Sequence, residues 1–429
     1  MDPVSHAPTP PPQPALGPRL IELAQLFLRL GAVGFGGPQA HIAMIHDEAV
    51  VQRAWLSEEE FLAGVAICEM LPGPASTQTG IYTGYVRAGF LGALVAGTSF
   101  IFPAFSIMVA LSWAYFRFQG VPQIDHLFLG ISPVVIAIIL AFGWKLSQKS
   151  IKDKTGVAIA LGAFLLAWGL RLNVLLLFLL AGIVGLVVYH PPTAPPGESP
   201  ATVSPPRTPH TAWLAPLWPV GQALTPLLTT LPREVLTVSS FWGLERIQAY
   251  AWPLASFFVK VGAFIFGGGL VIIPLLETSV VDNFQWMTRS EFLDGVALGE
   301  LTPGPVVITA AFVGYKVAGF LGALVATVAI FLPSFGFIGL ASPFLLRLRQ
   351  NPRVKCFLRG VLPAVLGAIL SATLPLAQAA LIQATLPLTL VAISLSLGAL
   401  VALVRFKRPT WQLVPVGALV GLAVGAVLT

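Results

Sequence analysis

Polar residues are sparse along this chain and fall in short clusters. Between them run apolar stretches such as VVIAIILAFGW at 134–144 and VLLLFLLAGIVGLVV at 174–188. Runs of this kind predict α-helices crossing a hydrocarbon core about 30 Å thick. Two stretches break the pattern. Residues 58–88 are too long for a linker and too interrupted for one span. Ser57 with Glu60, and Thr288 with Glu291, have the spacing of a capping box, in which side chain and backbone at a helix start satisfy each other. Each box opens a helix of about 14 residues, or ~21 Å, too short for a membrane. Pro72 and Pro303 stop it, since proline lacks an N–H and crowds the preceding turn. Pro74 and Pro305 then suit the first position of a new helix. GFGGPQA at 34–40 and IFGGGLV at 265–271 predict a second break of this type. The fold class read from the pattern is an all-α polytopic membrane protein with broken or re-entrant helices.

The breaks recur because the chain repeats itself. GAVGFGG at 31–37 matches GAFIFGG at 262–268, and Trp55, Glu60, Gly64 and Glu69 match Trp286, Glu291, Gly295 and Glu300 at the same offset. Pro-Gly-Pro at 72–74 matches 303–305, and AGFLGALVA at 88–96 returns letter for letter at 318–326. Fixed-offset self-similarity marks an internal duplication. The organisation read is a Pro-rich tail at 1–18, a first repeat at 19–190, a linker region at 191–250 and a second repeat at 251–429. PPTAPPGESPATVSPPRTP at 191–209 reads as flexible linker.

Charge orients the repeats. Lys145, Lys149, Lys152 and Lys154 cluster after the second long span of the first half, while Arg347, Arg349, Arg353, Lys355 and Arg359 follow the first long span of the second half. Arg405, Lys407 and Arg408 mark a later loop. Basic loops favour the cytoplasm, so equivalent loops fall on opposite sides and the repeats are inverted. Inversion needs an odd number of crossings between the copies, which places one extra crossing within 211–251. The N-terminus is then cytoplasmic and the C-terminus external.

Composition agrees: the chain is 56% hydrophobic and 10% charged, with mean hydropathy +0.85. Its net charge of +6 is accounted for by the basic loops, without nucleic acid. Cys68 and Cys356 form neither a disulfide framework nor a metal motif, and no cofactor or metal site is read.

Broken backbone at membrane depth is tolerated only where protein or a cavity surrounds it. Helix starts after Gly37, Gly73, Gly268 and Gly304 offer free N–H groups and a positive dipole end to an anion. The candidate substrate-binding residues are Arg29, Gly36, Gly37, Gln39, Gly73, Ser76, Thr77, Lys260, Gly267, Gly268, Gly304 and Thr309. Arg29 and Lys260, aligned in the two halves, either attract the anion or pair with Glu69 and Glu300. Those glutamates are candidate proton carriers, or else caps of the broken helices. Asp47, Glu48 and Glu277 are expected to face water or headgroups, and AGFLGALVA to be a close helix-packing face.

With FGGP, the twin Pro-Gly-Pro breaks, Trp55 and Trp286 and the duplicated AGFLGALVA in view, the chain resembles the chromate ion transporter family in its long, two-domain form, over about residues 20–405. The resemblance implies export of chromate across the bacterial inner membrane and chromate resistance, with sulfate as a structural relative of the substrate. Its partners would be the anion and membrane lipids, with a homodimer left open. Gly-Gly-Pro in one half against Gly-Gly-Gly in the other means the two breaks need not be equivalent. Chromate as a dianion gains roughly 4.6 kcal/mol per 100 mV on leaving a negative interior, so membrane potential or a proton gradient could drive export. An oxyanion channel, or a transporter of sulfate or a related anion, would use the same helix ends. A membrane enzyme acting on lipid phosphates would need a nucleophile and base, and no such pair recurs in the halves.

Overall fold

The computed structural model describes residues 15–189, 241–265 and 269–428. The 191–209 linker lies outside these, as does the 211–251 region up to residue 240. Among the described residues every regular element is helical. The first half contains α1 (Leu16–Val33), α2 (Pro38–His46) continuing into a π-helical turn at Asp47–Gln52, α3 (Glu58–Met70), α4 (Ala75–Phe118), α5 (Pro122–Ser150), α6 (Lys154–Gly169) and α7 (Val174–Val188). The second contains α8 (Leu244–Ala263), α9 (Ile272–Leu276) with a π-helical turn at Glu277–Asn283, α10 (Arg289–Leu301), α11 (Thr309–Gln350), α12 (Pro352–Leu381), α13 (Leu386–Val404) and α14 (Thr410–Leu428). Six described helices have the length and hydropathy to cross a membrane.

Both capping boxes form. The Glu60 N–H donates to Ser57 Oγ at 3.2 Å and the Ser57 N–H donates back to the Glu60 carboxylate at 2.9 Å. Glu291 and Thr288 exchange the same bonds at 3.2 and 3.0 Å. The helices they open do not continue in line past Pro-Gly-Pro; they turn back. Tyr82 Oη donates to the Glu60 carbonyl at 3.4 Å, and a methyl group on Gly64 would strike the Tyr82 ring. Residues 58–87 are therefore a re-entrant helical hairpin, and 289–317 form its counterpart, with a methyl on Gly295 striking the Phe312 ring.

A second reversal follows at the base of each hairpin. Ala88 and Gly89 leave helical geometry, Gly89 with φ +63°, and Ala318 and Gly319 do the same, Gly319 with φ +59°. Left-handed φ favours glycine because a Cβ would crowd the backbone. After the reversal Gly92 lies against Gly84 and Gly322 against Gly314, too close for any side chain between them. The duplicated AGFLGALVA is thus a packing face, as expected, and its first two letters are also the turn.

The long arms, 90–118 of α4 and 320–350 of α11, cross at the centre. Phe105 meets Phe320 with ring centroids 5.8 Å apart, Gly97 meets Phe335, and Phe90 meets Gly339. Numbers rise on one arm as they fall on the other, so the arms are antiparallel. A two-fold relating antiparallel spanning helices lies in the membrane plane, which makes the repeats inverted. The ends of the arms define two faces. Asp153 accepts hydrogen bonds from Arg359 at 2.6 Å and Tyr189 at 2.9 Å, which joins the 145–154 and 353–359 clusters on one basic face. Gly243, packed against Ala318 and Gly319, lies on the opposite face.

In lipid, apolar helices gain little from mutual burial, so close backbone approach has to hold them. The repeats use matched small residues: Gly31 against the Phe100 carbonyl and Gly262 against that of Ile330, Gly130 against Gly417 and Gly421, and Gly360 against Ala181 and Gly185.

Candidate functional site

The two hairpin tips meet the ends of the first helices of the repeats. The Gly73 N–H, at one hairpin tip, donates to the Ile265 carbonyl at 2.7 Å. The Gly304 N–H, at the other tip, donates to the Gly34 carbonyl at 2.9 Å. These are the same bond twice: 34 becomes 265 and 73 becomes 304 at the 231-residue offset. Each hairpin tip is pinned to the broken end of the other repeat's first helix. Gly73 has φ +128° and Gly304 φ +98°, values that permit the tight Pro-Gly-Pro turn. Their N–H groups are therefore spent on the crossing rather than offered to a ligand.

The tips are alike in backbone and unlike in chemistry. On the first turn after the first tip stand Ser76, Thr77 and Gln78, all buried. Val307, Ile308 and Thr309 stand in their places after the second tip. The Thr309 hydroxyl donates to the Val306 carbonyl at 3.0 Å, within its own turn. Gln78 Nε2 donates to the Pro72 carbonyl at 2.7 Å and to Ser334 Oγ of α11 at 3.4 Å. Thr77 Oγ1 and Gln78 Oε1 are buried with no hydrogen-bond partner among the described residues. Gln78 and Ser334 escaped the sequence reading. Gln78 could have been found from the repeat, where it aligns with Thr309; Ser334 aligns with Ala104 and carries no motif.

The remaining candidates scatter around this centre. Gly36 and Gly37, with φ +110° and +80°, form the first-half break, and His41 Nε2 closes it with a 2.8 Å hydrogen bond to the Gly34 carbonyl. Gly267 and Gly268 lie outside the described residues. Gln39 Nε2 donates to Glu69 at 3.5 Å, and both side chains are exposed. Glu300 is half-buried and hydrogen-bonded by Thr410. Pairing of Arg29 and Lys260 with Glu69 and Glu300 does not occur. Arg29, its side chain 67% exposed, sits 3.5 Å from Glu48, and Lys260 lines a groove of about 1010 Å³ with Glu277, Asp282 and Arg289.

Glu48 and Glu277 correct the expectation that they face water or headgroups. Both are buried. Glu48 also accepts from Arg53 Nε at 3.2 Å, and Glu277 from Arg289 Nε at 3.1 Å. Each lies in a π-helical turn, where one extra residue per turn rotates the face that ordinary helical spacing assigns.

A further acid was missed. Asp294 on α10 is buried and accepts from Tyr115 Oη at 2.7 Å and Ser132 Oγ at 3.2 Å. Beside it Glu291 holds Lys316 at 2.7 Å and Gln119 at 3.0 Å. Ala63 occupies the equivalent place in the first half, so a search for shared positions passes Asp294 by. No group of three or more His, Cys, Asp or Glu able to hold a metal occurs among the described residues.

The chromate transporter family model matches residues 21–186 and 252–422, one match per repeat. This chain belongs to the chromate transporter family. A chromate transport protein of Cupriavidus metallidurans is 34% identical over 433 residues, covering 97% of this chain and 98% of that protein. A probable chromate transport protein of Synechococcus elongatus is 34% identical over 364 residues, covering 82% and 83%. An uncharacterized transporter of Bacillus subtilis is 30% identical over 132 residues, 31% of this chain but 74% of its own length, so that protein is about as long as one repeat. No solved structure matches the chain.

Proposed function

We propose that this family member exports chromate from the bacterial cytoplasm, binding the oxyanion where the two hairpin tips cross. The observation that carries the reading is the crossing itself: two pinned Pro-Gly-Pro tips, one followed by a buried polar turn with unpartnered oxygens among the described residues. Buried polar groups without partners cost free energy, which a bound ligand or water recovers. Helix starts at the crossing add positive dipole ends. Arg29 and Lys260 lie on the approaches rather than at the centre, and raise the local anion concentration. Glu69 and Glu300 are proposed to exchange protons if transport is proton-coupled.

The positive-inside rule places the basic face in the cytoplasm, the N-terminus with it and the C-terminus outside. The hairpin rooted at that face is loose: α3 packs on α4 and α11, whereas α10 also packs on α5, α12 and α14. The cytoplasmic route is thus the open one, and export proceeds as the two hairpins exchange these roles. A dianion leaving a negative interior gains roughly 4.6 kcal/mol per 100 mV, enough to drive the cycle. Uptake of labelled chromate into inside-out membrane vesicles tests the reading. Saturable uptake that rises with an inside-positive potential is expected. Uptake linear in chromate concentration would replace the transporter with a channel.

A further inference from the structure

The polar tip has a donor and acceptor arrangement with a chemical meaning. Gln78 Nε2 lies 2.7 Å from the Pro72 carbonyl. Only the amide nitrogen can stand there, because a flipped amide would set two acceptors against each other. Oε1 therefore points away from that carbonyl, and it is buried with no described group donating to it. Ser334 accepts from Nε2, which leaves its own O–H to donate. The seat thus combines a hydroxyl donor, the first-turn N–H groups of the helix starting at Ala75, and one buried acceptor that lacks a proton. A fully deprotonated oxyanion satisfies the donors and repels the acceptor. An oxyanion with one O–H satisfies both.

Chromate and sulfate have the same shape and differ in acidity. Hydrogen chromate persists near neutral pH, whereas sulfate and selenate are fully deprotonated there. We propose that the seat takes the monoprotonated oxyanion, hydrogen chromate, and that Gln78 Oε1, by accepting its O–H, separates chromate from sulfate. The inference rests on the export function proposed above. The O–H bond forms in cytoplasmic water, stays intact through the crossing and breaks outside, so each turnover moves one proton with the anion. One net negative charge then crosses, so the electrical drive is half that of the dianion. Val307, Ile308 and Thr309, aligned with Ser76, Thr77 and Gln78, do not repeat this arrangement at the second tip.

The test uses the full chain in proteoliposomes, with labelled chromate at fixed total concentration. From about pH 6 to about pH 9 the wild-type rate should fall, reaching about tenfold per pH unit above the ionisation of hydrogen chromate. Phosphate, which carries a proton at neutral pH, should compete; selenate and sulfate should compete far more weakly. Gln78→Thr copies the residue the fold already accepts at 309, so its membrane abundance should match wild type. Its pH slope should flatten, and its chromate-to-sulfate ratio should drop by at least about tenfold, since sites built around a substrate hydroxyl discriminate strongly. A wild-type rate flat with pH, selenate competing as well as phosphate, or Gln78→Thr keeping the wild-type slope and ratio would each overturn the inference while leaving export intact. Absence of saturable chromate transport at every pH would instead remove the export reading, and this inference with it.

Discussion

Replacing Gly73 by alanine adds one methyl group at the crossing of the two repeats, and the structure sets what it costs. Gly73 has φ +128°, in the region that side chains rarely adopt. Backbone strain of this kind is worth about 1–3 kcal/mol. The new methyl would also collide with Gln78 Nε2 and lie 2.6 Å from Ser334 Oγ. Overpacking in a tight site adds about 1–3 kcal/mol. Gly73→Ala should therefore destabilise by about 2–6 kcal/mol in all. Two other glycines separate the contributions. A methyl on Gly120, which has φ +87°, would meet nothing within 4 Å, so Gly120→Ala carries the strain alone, about 1–3 kcal/mol. Gly304, with φ +98°, would place its methyl 2.9 Å from that of Ala104, a milder contact. Thermal unfolding of the three variants in one detergent should rank them wild type, Gly120→Ala, Gly304→Ala, Gly73→Ala in falling midpoint. The backbone N–H survives each substitution, so the crossing bonds remain and the ranking reads space. Equal midpoints for Gly73→Ala and Gly120→Ala would refute the argument that a methyl on Gly73 runs into Gln78 and Ser334.

Three more outcomes are expected. Arg29→Gln and Glu48→Gln should be coupled in a double-mutant cycle by up to about 1 kcal/mol, while Arg29→Gln and Glu69→Gln should be additive, because Arg29 lies beside Glu48. The Asp153 carboxyl is held below its ordinary range by the Gly156 N–H and then by Tyr189 and Arg359. Its contribution is present above the unfolded carboxylate pKa and lost as pH falls through the lower folded value, so the melting-point gap between wild type and Asp153→Asn should close on acidification and persist at neutral pH. Leu62→Cys, at a position 52% exposed, should react with a water-soluble thiol reagent, and Leu293→Cys, at its 1% exposed counterpart, should not; turnover with chromate should bring the two reactivities closer.

Much of the architecture was legible because the chain states it twice. Ser57 with Glu60 and Thr288 with Glu291 fix helix starts by local bonding, and both formed as read. Proline chemistry located the tips. The direction taken after each tip was not legible, because Pro-Gly-Pro stops a helix without saying whether the chain continues or returns; the Gly64 and Tyr82 contact decides that. The reversal at Ala88 and Gly89 carries no proline, only a glycine just after Arg87, which marks a helix end without giving the direction that follows. The Arg29 partner and the burial of Glu48 and Glu277 were missed because π-helical turns displace these two acids from the positions that regular helical spacing gives. Within the site, reading by shared positions favoured Gly73 and Gly304, which the fold uses to join the repeats. It passed over Gln78, Ser334 and Asp294, where the copies differ.

Those differences bear on how an inverted repeat could work as a transporter. Leu62 and Leu293 are the same residue at the same place in two copies, one half in the open and the other enclosed. Enclosing a leucine is worth about 1.5–3 kcal/mol where the alternative is water. In the proposed exchange one hairpin gains this contact as the other loses it, so the shared residues nearly cancel and the two states stay close in energy. A two-state cycle needs such closeness, with a gap of a few kcal/mol at most. Unshared residues then set the bias. Asp294 and its bonds to Tyr115 and Ser132 exist only in the closure opposite the basic face, with Ala63 at the matching place. Removing one partner leaves a buried acid short of a donor, at a cost of about 1–3 kcal/mol. In the proposed cycle the duplication supplies the balance between the states, and the few positions where the copies diverge set which face rests open and which tip holds the anion.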